Sequence, residues 1–411
     1  MEEKAKKITF NDILRAAFKK QASDIHLKAG KAPVIRVHGR LSPLSSKLPP
    51  LSNDALLRIA LNLMSEEQQK AFHENKEIDL SYGISGLGRF RIHIFKQRSS
   101  VQLVIRNIPD QVRPLSELNL PSVIEQIANI ERGLIIVTGA TGSGKTTTLT
   151  AIVDYINNHK SRHILMIEDP TEFLIRDKKS IITQRELETD TTTYPKALRA
   201  ALRQDPDVIL IGEMRDPETM ATALTAAETG HLVLTSMHTL DAQETILRFI
   251  SSFPHEKDAQ IRAQLASVLK AIICQRLVRR KKKEGFIPAA EILINNARIS
   301  ELITNPQRTH EILSTIEDSQ SWKMQSFDQS LMDLISRGEI SYEEALSVAS
   351  NPENFAIRYQ GISQMDGKKW GDSSQFKKRY EEEWNRIADI EIDNQSLTQP
   401  EIKVQKKKKI R

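Results

Sequence analysis

The stretch Gly139-Ala140-Thr141-Gly142-Ser143-Gly144-Lys145-Thr146-Thr147 sets two glycines, a lysine and a threonine at the G-x-x-x-x-G-K-[ST] spacing of a nucleoside-triphosphate cradle. The residue types dictate the chemistry. Gly139 and Gly144 let backbone N–H groups turn inward around phosphate oxygens, and a helix starting at the loop adds its partial positive charge. Lys145 has the reach for the β- and γ-phosphates, and the Thr146 hydroxyl suits Mg²⁺. A glycine-rich turn with a chance lysine would read the same in isolation, but the flanks differ from that case. Residues 134–137 before the loop are a continuous apolar run, as in a buried parallel strand. After it, Leu149, Ile152 and Ile156 recur at helical spacing. The loop is read as a site for ATP or GTP.

Three further clusters carry groups suited to phosphoanhydride chemistry, each at the end of a strand-like run, where open parallel sheets bind ligands. Ile167-Glu168-Asp169-Pro170-Thr171-Glu172 follows a strand expected over 163–167. Glu168 and Asp169 there suit water or metal work, with two solvated turn acids as the alternative. Val208-Ile209-Leu210-Ile211-Gly212-Glu213-Met214-Arg215-Asp216 has the shape of a Walker B strand, four apolar residues leading to an acid. Gly212 holds the place usual for a magnesium aspartate, and the acid is Glu213. Mg²⁺ is then left to Thr146, phosphate oxygens and water, with Glu213 or Glu168 behind them. Hydrolysis needs a positioned water, Mg²⁺ and charge neutralisation. Glu213 is the first candidate to orient that water and Glu168 the second. In the third cluster, His231 and His238 bracket a strand. Their spacing is wrong for two zinc ligands on one helix. His238 is placed to sense a γ-phosphate or to couple neighbouring subunits; a satisfied core or turn histidine is the alternative for each.

These groups need a framework. A chain of 411 residues, 39% hydrophobic and 27% charged, reads as two or three globular domains. It lacks an apolar run of about eighteen residues, so no transmembrane segment is expected. MEEKAKKITF at the start has no apolar core and does not read as a secretory signal. The single cysteine, Cys274, excludes a disulfide framework and a multi-cysteine zinc site. A cytoplasmic protein is expected. The net charge of +6 is partly local, in Arg279, Arg280, Lys281, Lys282 and Lys283, and in Lys406 to Lys409 with Arg411. Either cluster suits anionic lipid, nucleic acid or plain solvation.

Along the chain, residues 10–22 read as an amphipathic helix, followed by strands at 24–28 and 34–38 and one helix over 51–72. Strands are expected at 77–82, 88–97 and 101–108; Phe90, Ile92 and Ile94 alternate with Arg89, Arg91 and His93, a half-buried pattern. Residues 108–114, with Pro109 and Pro114, have linker composition. From 115 the pattern becomes strand–helix alternation, the mark of an α/β domain with a mostly parallel sheet. Strands fall at 163–167, 208–212 and 231–236, and a helix over 217–229 has Asp216 as N-cap and Gly230 as its stop. Residues 259–349 read as largely helical. Beyond about Gly361 the chain turns charged and is expected to be disordered.

Together the motifs identify a family. Residues 202–216 (LRQDPDVILIGEMRD) are similar to the signature of secretion ATPases of the type II secretion and type IV pilus class. Ile167 to Phe173 (IEDPTEF) resembles that family's Asp box and Gly230 to Thr239 (GHLVLTSMHT) its His box. Ala22 to Leu27 (ASDIHL) and Gly88 to Arg91 (GRFR) resemble its PAS-like N-terminal domain. The likeness covers about residues 5 to 360. Within the class, the chain most resembles the retraction ATPases of twitching motility. It shows no long extra N-terminal domain, lacks the paired zinc cysteines, and carries C-terminal elements at 324–331 and 349–352 like theirs. It departs from them at 297–306 (ARISELITNP), where they carry an AIRNLIREG-like helix. The apolar positions survive and the intervening residues differ, which leaves a main retraction motor and an accessory paralogue both open.

The resemblance implies a PAS-like α+β domain over 1–107, a linker over 108–114, a RecA-like P-loop domain with a helical C-terminal part over 115–360, and a charged tail over 361–411. It implies a cytoplasmic homohexamer at the inner face of the inner membrane that hydrolyses ATP with Mg²⁺. The partners implied are an inner-membrane pilus platform protein and a paralogous retraction ATPase, with no nucleic acid. In such a ring an arginine from the next subunit supplies charge that Lys145 cannot, typically worth roughly 10³–10⁵ in rate. Arg98 and Arg106 are the candidates, chosen from a set that includes Arg89, Arg91, Arg203 and Arg215; solvated strand arginines are the alternative. A nucleic-acid motor is the competing class, and the small aromatic share of 5% offers it few stacking platforms.

Overall fold

The computed structural model describes residues 9–365, apart from 38–39, 47, 85, 109–111 and 283. Two compact units divide between Ser350 and Asn351. The first carries two sheets.

The N-terminal sheet has six strands: β1 (Asp24–Lys28), β2 (Val34–Val37), β3 (Arg40–Pro43), β4 (Glu77–Ile84), β5 (Gly88–Gln97) and β6 (Ser100–Ile108). They lie in the order β3-β2-β1-β6-β5-β4, every pair antiparallel. One face is packed and the other is polar. Phe90, Ile92 and Ile94 are fully buried, as their alternation with Arg89, Arg91 and His93 requires. The helices Phe10–Lys19 and Asn53–Leu63 contribute Leu14, Ala17, Leu56 and Ala60 to the same core. The single helix expected over 51–72 is two, Asn53–Leu63 and Glu66–Asn75. Ser65 breaks it: its hydroxyl accepts from Gln68 N, and the Gln68 side chain accepts from Ser65 N, a capping box that starts a new helix. Arg98 and Ser99 turn the β5–β6 hairpin with φ of 48° and 62°, the left-handed pair a tight two-residue turn needs.

The second sheet comprises β7 (Gly133–Thr138), β8 (His163–Glu168), β9 (Ile181–Glu186), β10 (Val208–Ile211), β11 (Leu232–Met237), β12 (Leu269–Arg279) and β13 (Phe286–Ile294). The order is β13-β12-β7-β11-β10-β8-β9. All neighbours are parallel except β12 and β13. Strands β7, β10 and β11 are buried along their whole length, because helices cover both faces of such a sheet. The helix Pro217–Glu228 starts at Asp216, whose carboxylate accepts from Thr219 N at 2.8 Å, and ends before Gly230 at φ 106°.

Residues 259–349 are largely helical, as expected, apart from one long hairpin. The helix Asp258–Val268 passes straight into β12, and β12–β13 form a long hairpin before the helices resume at Ala297–Thr304. The β-branched residues Ile272, Ile273 and Val278 favour the strand once it lies against β7. At the hairpin tip, Arg280 pairs with Glu339; Lys283 lies outside the described residues. The second unit, in its described part, is the helix Pro352–Met365. That helix continues past Gly361, where a disordered tail was expected to begin; 366–411, with the basic terminus, lie outside the described residues, as does most of the linker's first half. No helix among the described residues is long and apolar enough to cross a membrane.

Candidate nucleotide site

The glycine loop leaves β7 at Thr138 and ends at Gly144, which at φ 92° caps the helix Lys145–His159. Gly139 has no room for any side chain. At φ 142° a Cβ on it would lie 2.4 Å from Gln275 O and 2.5 Å from Ser143 Oγ, so β12 braces the loop from behind. Gly142 and Gly144 have positive φ with nothing within 4 Å, open toward the phosphate side. Lys145 Nζ donates to Gly139 O at 2.8 Å and Ala140 O at 3.1 Å. Burial pushes its amine below the usual value, while Glu213 and Glu172 pull the other way. Ser143 Oγ is buried with no hydrogen-bond partner. That hydroxyl lies on the braced side of the loop beside Gln275 O, so the fit to phosphate rests on the open glycines and on Lys145. Thr146 and Thr147 follow in the first helical turn, part-exposed.

Glu168 closes β8 and is buried. Burial pushes its carboxyl up to about 8; Gln184 opposes this, and Glu172 and Glu186 add to it. Gln184 on β9 donates to Glu168 Oε2 at 3.1 Å and to Phe173 O at 2.8 Å. Glu213 follows β10, only 13% exposed. One oxygen meets Arg215 Nη2 at 2.5 Å and the other His238 Nε2 at 3.2 Å. Between the two strands, Gly212 N donates to Ile167 O at 2.8 Å, and Gly212 O accepts from Ser236 Oγ at 2.7 Å. The structure therefore brings Lys145, Glu168, Glu213 and His238 to one edge of the sheet. His231 is elsewhere engaged: its Nδ1 lies 2.8 Å from Ala226 O, closing the end of the Pro217–Glu228 helix.

The two arginine candidates are not together. Arg98 is exposed at the β5–β6 turn. Arg106 faces Arg91 far along the same hairpin and holds Asp24, Nε to Oδ1 at 3.0 Å, while its side chain stays 70% exposed. The N-terminal sheet does touch the second sheet at Ser81 on β4, whose hydroxyl donates to Glu186 Oε1 on β9 at 2.8 Å. The other Glu186 oxygen is buried without a partner.

A strand, glycine loop and helix on a mostly parallel sheet, with carboxylates at neighbouring strand ends, define a P-loop ATPase of α/β, RecA-like fold. The chain belongs to the type II/IV secretion system protein family, whose model matches residues 2–350. It is 43% identical over 344 residues to the type IV pilus retraction ATPase PilT of Pseudomonas aeruginosa, covering 84% of this chain and 99% of that one. The type IV pilus ATPase PilU of the same organism is 38% identical over 357 residues, covering 87% and 93%. Among solved structures, that of the pilus retraction motor PilT with bound ADP superposes with a TM-score of 0.78 at 40% identity, covering 84% of this chain and 98% of that one.

Three residues around the site escaped the sequence reading. Gln184 and Glu186 lie on β9, an edge strand with a polar sequence and no apolar run to announce it. Tyr194 opens the helix Tyr194–Ala201 and carries no motif at all.

Proposed function

We propose that the chain is a motor ATPase that couples ATP hydrolysis to retraction of type IV pili, and that it works as a homohexameric ring. The observation that carries the hydrolytic half is the placement of the Glu213 carboxylate on the same sheet edge as Lys145, with Glu168 beside it. The likeness to PilT along nearly its whole length supports the pilus half. Residues 1–107 form the N-terminal domain and 115–360 the ATPase domain with its helical extension, joined across 108–114.

The loop 139–147 binds the phosphates, and Lys145 exchanges its two loop carbonyls for phosphate oxygens. Thr146 would hold Mg²⁺ through its hydroxyl, a neutral oxygen of the kind that ion accepts. That ion supplies charge neutralisation to the phosphates. Glu213 is the residue that accepts the proton of the attacking water. It is the better choice than Glu168, which burial keeps protonated at neutral pH. Arg215 and His238 hold Glu213 in place, and its ion pair with Arg215 opens to free an oxygen. The charge from the neighbouring subunit comes from Arg98 or Arg106, which lie well apart on the β5–β6 hairpin. The ring sits in the cytoplasm against an inner-membrane platform protein, with a paralogous ATPase as a second partner.

Glu213→Gln tests the assignment. Removing a general base costs roughly 10²–10⁴-fold in turnover, and the variant still binds ATP. Turnover equal to the parent would sink it. In cells, deletion is expected to leave surface pili without twitching; bald cells would instead make the chain an extension motor.

A further inference from the structure

The carboxylates after β8 and β10 share their space with a side chain outside every motif. Thr193 caps the helix Tyr194–Ala201, its hydroxyl accepting from Lys196 N at 3.4 Å, and so fixes where the first residue points. A Cβ on Gly212 would lie 2.9 Å from the Tyr194 hydroxyl oxygen, with Glu168 Cα and Ile167 O each at 3.4 Å. The phenol oxygen thus fills the volume that a side chain at 212 would enter, the place where a Walker B strand ordinarily carries its aspartate. The ionisable groups around the ring are Glu168 and Asp169 at the end of β8, and Glu213 and Arg215 after β10. Burial, and then those three carboxylates, push the phenol well above its ordinary value. It stays protonated at any working pH, a neutral hydroxyl dipole among ionisable groups.

We propose that Tyr194 is a positioning residue of the hydrolytic site, its neutral hydroxyl taking the space that a side chain at Gly212 would occupy, among Glu168, Asp169 and Glu213. An aspartate at 212 would add a fourth carboxylate beside Glu168, Asp169 and Glu213 and repel a triphosphate. A phenol has the same reach without the charge. The proposal rests on hydrolysis taking place at this edge of the sheet.

Tyr194→Phe deletes one oxygen and keeps the ring. Turnover per nucleotide-binding site, counted with a fluorescent ADP analogue, is expected to fall about three- to tenfold with KM for ATP little changed. Carboxyl groups that lose a neighbouring hydroxyl dipole ionise less readily, so the acid limb of the turnover profile moves to higher pH. Gly212→Ala pushes a methyl toward the hydroxyl. It should therefore cost less in the Tyr194→Phe background than in the parent, a non-additive cycle that a packing role for the ring alone would not give. Glu213→Gln is run alongside. If it turns over normally, the site assignment fails. If it is inactive while Tyr194→Phe matches the parent in rate and acid limb, the tyrosine proposal alone is overturned. A loss of turnover matched by a loss of binding sites, with an unmoved acid limb and additive Gly212→Ala, also overturns it.

Discussion

The two sheets of the first unit solve opposite problems. The N-terminal sheet is antiparallel throughout, buries one face over Phe90, Ile92 and Ile94, and turns arginines outward on the other. The second sheet is mostly parallel, buries both faces, and leaves only its strand ends to do chemistry. Water reaches the first along a face and the second along an edge. A face can dock on a neighbour; an edge can converge Lys145, Glu168 and Glu213 on one phosphate chain. The division of labour follows from strand direction, since parallel strands start and finish together and line up their terminal residues.

The sharpest break in this contrast would be to take the charge off the N-terminal face. Replacing Arg98 and Arg106 by alanine together is expected to lower turnover in assembled rings by roughly 10³–10⁵-fold. Mixing those subunits with Lys145→Ala subunits should restore part of it, because each supplies what the other lacks. No recovery in the mixture would remove these arginines from the shared site. Lys145→Ala alone deletes a charged donor of the edge and should cost roughly 10²–10³-fold, with nucleotide binding lost alongside; unimpaired ATP binding would contradict it.

A smaller effect is expected where the two sheets touch. Ser81→Ala leaves both Glu186 oxygens without a side-chain partner, a cost of about 1–3 kcal/mol. The melting temperature should drop by a few degrees and Ser81→Thr should restore it. A Ser81→Ala melting curve that overlays the parent would mean the contact carries no stability. The smallest effect is a slope with pH. Glu168 has a folded value of about 8 against an ordinary 4.5, so between those values the fold holds a proton that the unfolded chain releases. Stability then falls as pH rises through that window. Glu168→Gln has no such proton, so the parent's stability should decline more steeply than the variant's between pH 5 and about 8. Parallel melting profiles would show that Glu168 is ionised in the fold.

Legibility in the sequence followed the same contrast. The central strands β7, β8 and β10 were readable because burial on both faces demands apolar runs, and β11 by its Leu232-Val233-Leu234 start; the glycine loop was readable because phosphate binding demands fixed spacing. β5 was readable by its alternation. The edges were not. β9 is polar, and β12 begins at Leu269 directly after a helix, with no glycine, proline or cap between. An apolar run of that kind suits helix or strand until β7 lies beside it. In the site, Lys145, Glu168, Glu213 and His238 could be found because each sits at a fixed offset in a motif. Gln184 and Tyr194 come from other elements and meet the carboxylates only through folding.

The hydrogen bonds of Lys145 to Gly139 O and Ala140 O have a kinetic meaning. The loop is its own competitor. An incoming anion must outbid two carbonyls for the ammonium group, which a triphosphate does far better than inorganic phosphate. On the function proposed above, the same carbonyls would reclaim the lysine once the γ-phosphate has gone, which would favour release of what remains. On the proposed function, a self-liganded lysine would bear on how readily the nucleotide leaves as well as on how tightly it is held.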